Sequence, residues 1–387
     1  MPRADRPPVK PMTWAGSDNA NLTPNARRTP AVGDTTIVTM RDVARATGVS
    51  QSTVSRVLSG APTVVPIAPE TRERVAAAAR RLGYRPNPLA RGLRGARTML
   101  LGVIVREITD PFFAGAVDAV STEAGRRGYN VVLGTAHARA DEAIALWAVL
   151  EARHCDAIVL LGDMRDQPRL IEDLRNSHVP FVALWEGSRP TGIASVSVDN
   201  RVGIEAIMNH LLALGHRRIS FVGGRRLGDI AEREEAFADA VARSGEPLRK
   251  GYVRSTTNHP AGGREALRAL LRLTEPPTAV VFATDVLAMG ALYEAYEQGL
   301  RVPRDISITG FDDIPQAAYA VPALTTVRMP VQEMVASAVA MVIDHQNELE
   351  AELSHPILEP SLVVRDSTAP PPPESAAAAE VTPGEDH

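Results

Sequence analysis

The sequence predicts an α/β protein: an N-terminal all-α helix-turn-helix module, followed by a doubly wound α/β body in two lobes. Three observations carry this. Two short helical patterns run back to back through "MRDVARATGVSQSTVSRVLSG", Met40 to Gly60. From Met99 onward, short apolar runs alternate with helical patterns, which is how parallel sheets covered on both faces read. The charge is also divided. Residues 37–97 hold 11 Arg against Asp42, Glu70 and Glu73, a balance of +8, while residues 98–387 carry −14 within a net charge of −4. A basic module on an acidic body is the asymmetry of a chain with a nucleic-acid-binding end.

Residues 1–36 are rich in Pro, Asn, Thr and Arg without periodicity and read as a disordered arm. In the module, residues 37–85, Thr39 caps a first helix whose Met40, Val43 and Ala44 share one face. Gly48 ends it. Ser50 caps a second helix that turns Val54, Val57 and Leu58 inward beside Val49. The third helix, "PETRERVAAAARRLG", opens on Pro69 and buries Val75, Ala78, Ala79 and Leu82. Gln51, Ser52, Thr53, Ser55 and Arg56 stay outward on the second helix, short hydrogen-bonding groups with no carboxylate among them. A helix N-terminus furnished in this way can enter the major groove and read base edges while Arg and hydroxyls meet phosphates. An ordinary helical hairpin is the bland alternative.

The body, residues 98–365, begins with the strand "MLLGVIV" and a helix through "FAGAVDAVSTEAGRRG". The strands "YNVVLGTA" and "AIVLLG" follow with their helices, and "FVALW" closes a first series. A second series opens on the helix "RVGIEAIMNHLLALG" and runs through the strands "RISFVGG", "YVRST", "AVVFAT" and "SITGFD". There are too many units for one comfortable sheet, so two similar lobes with a cleft between them are expected. Ligands of open α/β sheets sit outside the carboxyl ends of the strands, which selects Asp110, Glu186, Asp285 and Asp312. Residues 366–387, "DSTAPPPPESAAAAEVTPGEDH", read as a disordered tail.

Several classes are disfavoured. Cys155 is the single cysteine, which rules out an internal disulfide and a cysteine metal cluster and fits a reducing setting. With no apolar leader and no run long enough for a membrane span, a soluble cytoplasmic protein is expected, without a membrane partner. No G-x-G-x-x-G, P-loop or H-E-x-x-H is present, and His154, His178 and His216 lack metal-ligand spacing. No cofactor, no metal and no enzymatic activity are therefore expected.

The stretch "TMRDVARATGVSQSTVSRVLSG … ETRERVAAAARRLGYRPNPLARGLR" closely resembles the DNA-binding headpiece and hinge of the lactose-repressor (LacI) family. The likeness continues through "DPFF", "VDNRVG", "LGHRRISFVGG", "GFDDIPQAAYAVPALTTVRMP" and "EPSLVVR". It implies phosphate contacts for Thr39 and Ser50, base readout by Gln51 and Ser52, and backbone or base contacts for Ser55 and Arg56 with Thr53 nearby. Tyr84 and Asn87 match backbone-contacting positions. Ala90 and Leu93 match a hinge helix, here within residues 86–97, that lies in the minor groove. "NPLARGLRG" is too short and too Gly-rich to hold a helix alone, so it should fold only on DNA beside a second hinge. Leu93 is then an apolar wedge between base steps. "SGAPTVVPIAPE" departs from the pattern, being roughly three residues longer than the usual loop, with Ala68 where a capping Ser is common; insertions of this kind cost little.

For the body, the resemblance implies the lobes of a periplasmic sugar-binding protein with a small, sugar-like effector in the cleft. Phe113 would stack on it beside Phe112, with Glu186, Arg233, Asp285 and Asp312 around it. An aromatic face, a guanidinium fork and carboxylates suit a ring bearing hydroxyls. Thr284 and Asn258 depart from the family pattern, Asn258 standing where an aromatic ring often stacks. The function implied is a homodimeric repressor on near-palindromic operator DNA, controlled by its effector. The rival, a solute-binding protein of a transport system, needs an export signal and no headpiece. The helix "VQEMVASAVAMVIDH" reads either as a dimer face or as a lobe-packing helix.

Overall fold

The computed structural model describes residues 38–59, 66–84, 97–136, 140–152, 155–163, 168–176, 179–185, 187, 193–224, 228–344 and 355–373. The chain divides into two compact units at Pro86/Asn87, inside the expected hinge.

The first unit is three helices, α1 (Met40–Thr47), α2 (Gln51–Ser59) and α3 (Pro69–Leu82). Thr39 donates both its N–H and its hydroxyl to Asp42 Oδ2, at 2.9 and 2.7 Å. These bonds hold the Asp42 carboxyl below its usual range. Gly48 and Gly83 end α1 and α3 in the left-handed region, both at φ 68°, a conformation glycine adopts without steric cost. Val43, Val54, Val75, Ala78 and Ala79 form the core, with Met40, Ala44, Val49, Val57, Leu58, Leu82 and Tyr84 packed on it. Every inward position read from the periodicity lies in this cluster. Tyr84 leans on the core rather than standing clear of it. Ala68, at the N-cap of α3, supplies no side-chain bond.

The second unit holds two parallel sheets. The first runs in the order β11 (Ile357–Leu358), β5 (Ser195–Val198), β4 (Phe181–Leu184), β3 (Ala157–Leu161), β1 (Leu100–Val105), β2 (Asn130–Thr135). The second runs β7 (Val253–Ser255), β6 (Ile219–Gly223), β8 (Ala279–Phe282), β9 (Ser307–Thr309). A two-stranded antiparallel ribbon of β10 (Thr326–Arg328) and β12 (Ser361–Val363) completes it. Strand alternation sorts the core onto opposite faces. Leu101, Val103 and Val105 join one cluster and Ile104 another, and Val281 and Val280 divide in the same way.

The lobes are not sequential blocks. "FVALW" does not close the first lobe, because the chain adds β5 and returns much later for β11. All four residues of "SVSV" are buried. Its alternating serines hid the strand, yet Ser197 Oγ spends itself on the Gly187 carbonyl at 2.7 Å. The helix α11 (Val331–Ile343) also belongs to this lobe, with Met334, Val335, Ala338, Val339, Val342 and Ile343 buried. It packs on α4 (Pro111–Arg126), and Arg127 reaches Asp344 at 3.0 Å across their ends. Of its two readings, lobe packing is the one the structure displays.

The packed chain also runs past Arg365, where the tail was expected to begin. Ser367 is fully buried. Its Oγ donates to Ile308 O at 2.6 Å and accepts from Thr325 N at 2.8 Å, while its carbonyl accepts from Ile308 N. His216, itself buried, bonds the Ala369 carbonyl through Nε2 at 2.8 Å and Thr278 through Nδ1 at 2.9 Å. "DSTA" carries no apolar pattern because hydrogen bonds, not apolar burial, hold it against β9.

Candidate functional site

In the first unit the N-terminus of α2 carries the outward polar groups. Ser50 Oγ accepts from Thr53 N at 3.1 Å and touches the hydroxyls of Ser52 and Thr53, each at 2.8 Å. Gln51, Ser52 and Arg56 are exposed, while Thr53 and Ser55 are half-buried. One helix end thus presents an amide, hydroxyls and a guanidinium on a basic module, the donor and acceptor set that base edges and phosphates require. Asn87, Ala90 and Leu93 lie outside the described residues.

In the second unit a cavity of about 350 Å³ opens between the sheets. Most of its wall comes from residues just beyond strand carboxyl ends, as doubly wound sheets require. Arg106, Glu107 and Asp110 follow β1, Gly162 and Asp163 follow β3, and Trp185 follows β4. From the second sheet come Gly224, Thr256 to His259, Thr284 and Asp312, joined by Asp229, Ile230 and Arg233 from the first turns of α8 (Gly228–Arg243).

Phe112, Phe113 and Trp185 form the apolar wall. Edge-on contacts lock it: Phe112 lies 4.9 Å from Trp185 and 5.5 Å from Phe113, centre to centre. Asp110 orients both phenylalanines by capping α4, its Oδ1 accepting from Phe112 N at 3.0 Å. Its Oδ2 crosses to the other lobe and accepts from Asn258 Nδ2 at 3.1 Å. Asn258 Oδ1 in turn accepts from Thr284 Oγ1 at 2.7 Å. Asn258 and Thr284, which depart from the family pattern, thus form one chain of hydrogen bonds that ties the lobes together.

Arg233 is buried and its fork is largely committed. Nε donates to Asn200 Oδ1 at 2.8 Å, and Nη1 donates to Ala283 O at 2.6 Å and Asp312 Oδ1 at 3.3 Å. The guanidinium lies over the Phe311 ring at 3.7 Å. Nη2 has only long contacts, to Asp229 Oδ2 and Met329 Sδ, both at 4.0 Å. Asp312 adopts φ 117°, a strained backbone of the kind found where surroundings fix a working side chain. Burial pushes its carboxyl well up, against the pull of Arg233.

Of the residues expected around an effector, Phe112, Phe113, Arg233 and Asp312 come together at this cavity. Glu186 lies outside the described residues. Asp285 is corrected: it is fully buried away from the cavity, its Oδ1 taking Thr326 Oγ1 at 2.5 Å and its Oδ2 taking Ile314 N at 2.9 Å. It braces the turn that carries Asp312, and burial pushes its carboxyl up to about 7. Trp185, Asp163 and Asp229 were missed. The rule that selected Asp110 would also have found Asp163, which directly follows "AIVLLG". Trp185 closes the apolar run "FVALW", and an aromatic in that place looks like core.

The family model of bacterial regulatory proteins, lacI family, matches residues 39–87, and that of the periplasmic binding protein-like domain matches residues 208–368. Catabolite control protein A of Priestia megaterium is 32% identical over 334 residues, covering 86% of this chain and 99% of its own. A Lac repressor bound to ONPG in the repressed state superposes with a TM-score of 0.75 at 28% identity, over 86% of this chain and 99% of that one. The transcriptional regulator CelR in complex with cellobiose gives a TM-score of 0.63 at 29% identity, over 85% and 99%. Among the described residues no helix is long and apolar enough to cross a membrane. A basic helix-turn-helix module joined to a two-lobed body, matched along most of its length, makes this chain a member of the LacI family of DNA-binding transcriptional regulators.

Proposed function

We propose that the chain is a homodimeric repressor whose grip on near-palindromic operator DNA is set by a small, sugar-like effector in the cavity between its lobes. The observation that carries this is the cavity itself: an aromatic wall facing carboxylates and a buried guanidinium, at the strand ends of a chain that also bears a helix-turn-helix. Two relatives support the ligand class, since one was solved with cellobiose and another with ONPG. A two-fold protein demands a two-fold site.

In this reading Gln51 and Ser52 read bases, while Thr39, Ser50, Thr53, Ser55 and Arg56 hold the backbone. Tyr84 and Asn87 flank them. Ala90 and Leu93 enter the minor groove as part of a hinge, residues 86–97, that folds on DNA. Phe113 stacks on the effector beside Phe112, with the more deeply buried Trp185 behind them. Asp312, Arg233 Nη2 and Glu186 meet its polar groups. Ligand between the lobes shifts their relative angle and alters the hinge. The coupling is reciprocal: if effector weakens operator binding, operator weakens effector binding by the same factor. The cavity binds without chemistry, so its ligand is recovered unchanged.

The test is selection of bound duplexes from a random pool with full-length protein at fixed salt, followed by effector titration of the recovered site. An enriched palindrome whose binding responds to a cavity ligand supports the proposal. A non-symmetric motif, or a ligand that binds the cavity without moving operator affinity, overturns it. A ligand that tightens operator binding keeps the coupling and reverses its sign.

A further inference from the structure

The second sheet has a basic edge opposite the one that lines the cavity. Four loops enter the amino ends of β6, β7, β8 and β9: residues 214–218, 244–252, 272–278 and 299–306. Together they hold seven Lys or Arg against Glu246, Glu275 and Asp305. In a body that carries −14 over residues 98–387, this edge has the opposite sign. Its three acids are already paired: Glu246 with Arg217 at 3.6 Å, Asp305 with Arg301 at 2.6 Å, and Glu275 with Arg249. Lys250, Arg272 and Arg304 are exposed and make no ion pair among the described residues. The four strands are neighbours in the sheet, so these loops line one edge about 15 Å across.

The chain itself runs out to this edge. Ser367 O accepts from Ile308 N at 2.9 Å, and two residues on Ala369 N donates to Ser307 Oγ at 3.1 Å. The Ala369 carbonyl then meets His216 at 2.8 Å, and an added Cβ at Gly215 would lie 3.7 Å from Pro371 Cδ. Each contact lies closer to the amino end of β9 than the last, and the final two lie in the loop that enters β6. Residues 370–373 are four consecutive prolines, a stiff and extended spacer. Residues 374–387, outside the described residues, hold Glu374, Glu380, Glu385 and Asp386 and no Lys or Arg. A flexible coil of that length reaches about 20 Å, so the whole edge is within range.

We propose that the acidic segment 374–387 docks on the basic edge of its own second sheet, its carboxylates against Lys250, Arg272 and Arg304. A single exposed ion pair holds little. Here several act together, and the tether through Ala369 and the prolines supplies an effective concentration on the order of millimolar. The pairing is electrostatic and solvent-exposed, so salt weakens it. It is independent of the cavity and of whatever ligand the cavity binds.

The test uses full-length protein and a carbodiimide, which joins carboxylates to amines. Lys10 and Lys250 are the two lysines of the chain, so the products are few. Tryptic digestion of the monomer band from a denaturing gel should give residues 250–254 joined to residues 366–387 through a carboxylate beyond Pro373. Raising salt from about 20 mM to about 0.5 M should lower the yield about fivefold. Arg272→Glu with Arg304→Glu should do the same at low salt. Arg272→Gln with Arg304→Gln is the gentler second pair, expected to lower it about twofold, and melting curves check that each variant is folded. A yield that ignores both salt and charge reversal marks chance collision of a tethered chain and overturns the docking. The same peptide pair confined to the dimer band places the segment on a second copy and overturns the intrachain assignment. A link to Lys10 alone, or none, overturns it as well.

Discussion

Asp285 offers the sharpest trial of the site as drawn, because sequence and structure give it different work. Asp285→Ala removes the acceptor of a buried N–H, Ile314, and of a buried hydroxyl, Thr326. Each orphaned group costs about 1–3 kcal/mol, and the vacated volume adds to that. A loss of roughly 3–5 kcal/mol is expected. Asp285→Asn keeps the shape: Oδ1 accepts from Ile314 N–H, and Nδ2 donates to Thr326 Oγ1. Its cost at acid pH should be about 1 kcal/mol.

The two variants also differ with pH. Burial raises the Asp285 carboxyl from 3.8 to about 7, so the folded state holds this proton more tightly than the unfolded chain does. The stability it contributes is fully present below about pH 4 and is lost as pH rises to about 7, a change of roughly 4 kcal/mol. Asp285→Asn lacks that loss. It should be about as stable as the parent at pH 4.5 and more stable at pH 8. Urea denaturation followed by far-UV circular dichroism at the two pH values measures both. If Asp285→Ala costs less than about 1 kcal/mol, or Asp285→Asn abolishes effector binding while stability is unchanged, Asp285 is a ligand group and the reasoning is wrong.

Other consequences are as direct. An added Cβ at Gly263 would lie 1.9 Å from Leu287 O, and one at Gly290 would lie 1.9 Å from Pro260 O. Gly263→Ala and Gly290→Ala should therefore each cost more than about 3 kcal/mol by forcing two helices apart, read as a lowered melting temperature. Truncation after Arg365 removes the bonds of Ser367 and Ala369 and should cost roughly 3 kcal/mol; an unchanged melting curve would restore the expected boundary. Gln51→Ala should relax specificity at one or two base pairs, costing about 1–3 kcal/mol at the matched site alone, in competition binding against single-base variants. Trp185→Phe should remove most of the change in tryptophan fluorescence on ligand binding. An undiminished signal would place the ligand elsewhere.

What the sequence determined by itself is whatever depends on local order. The caps Thr39 and Ser50, the stop at Gly48 and the inward set from Met40 to Leu82 were all legible, because a short helix reports its buried face in its own periodicity. The alternation of strand and helix likewise declared parallel sheets, and the strand-end rule reached Asp110 and Asp312. Tertiary structure decided what depends on distant partners. β5 and β11 are strands because the first sheet receives them; the short alternation of "SVSV" describes a strand with one face in water, yet all four of its residues are buried. Ser367 is buried because Ile308 and Thr325 stand ready to bond it. Asp285 and Asp312 both follow strands and look alike in sequence, yet one spends both oxygens on Thr326 and Ile314 while the other meets Arg233 at the cavity. Burial and pairing are properties of the neighbours that a fold brings within about 3 Å, and those neighbours lie 29 and 41 residues from Asp285.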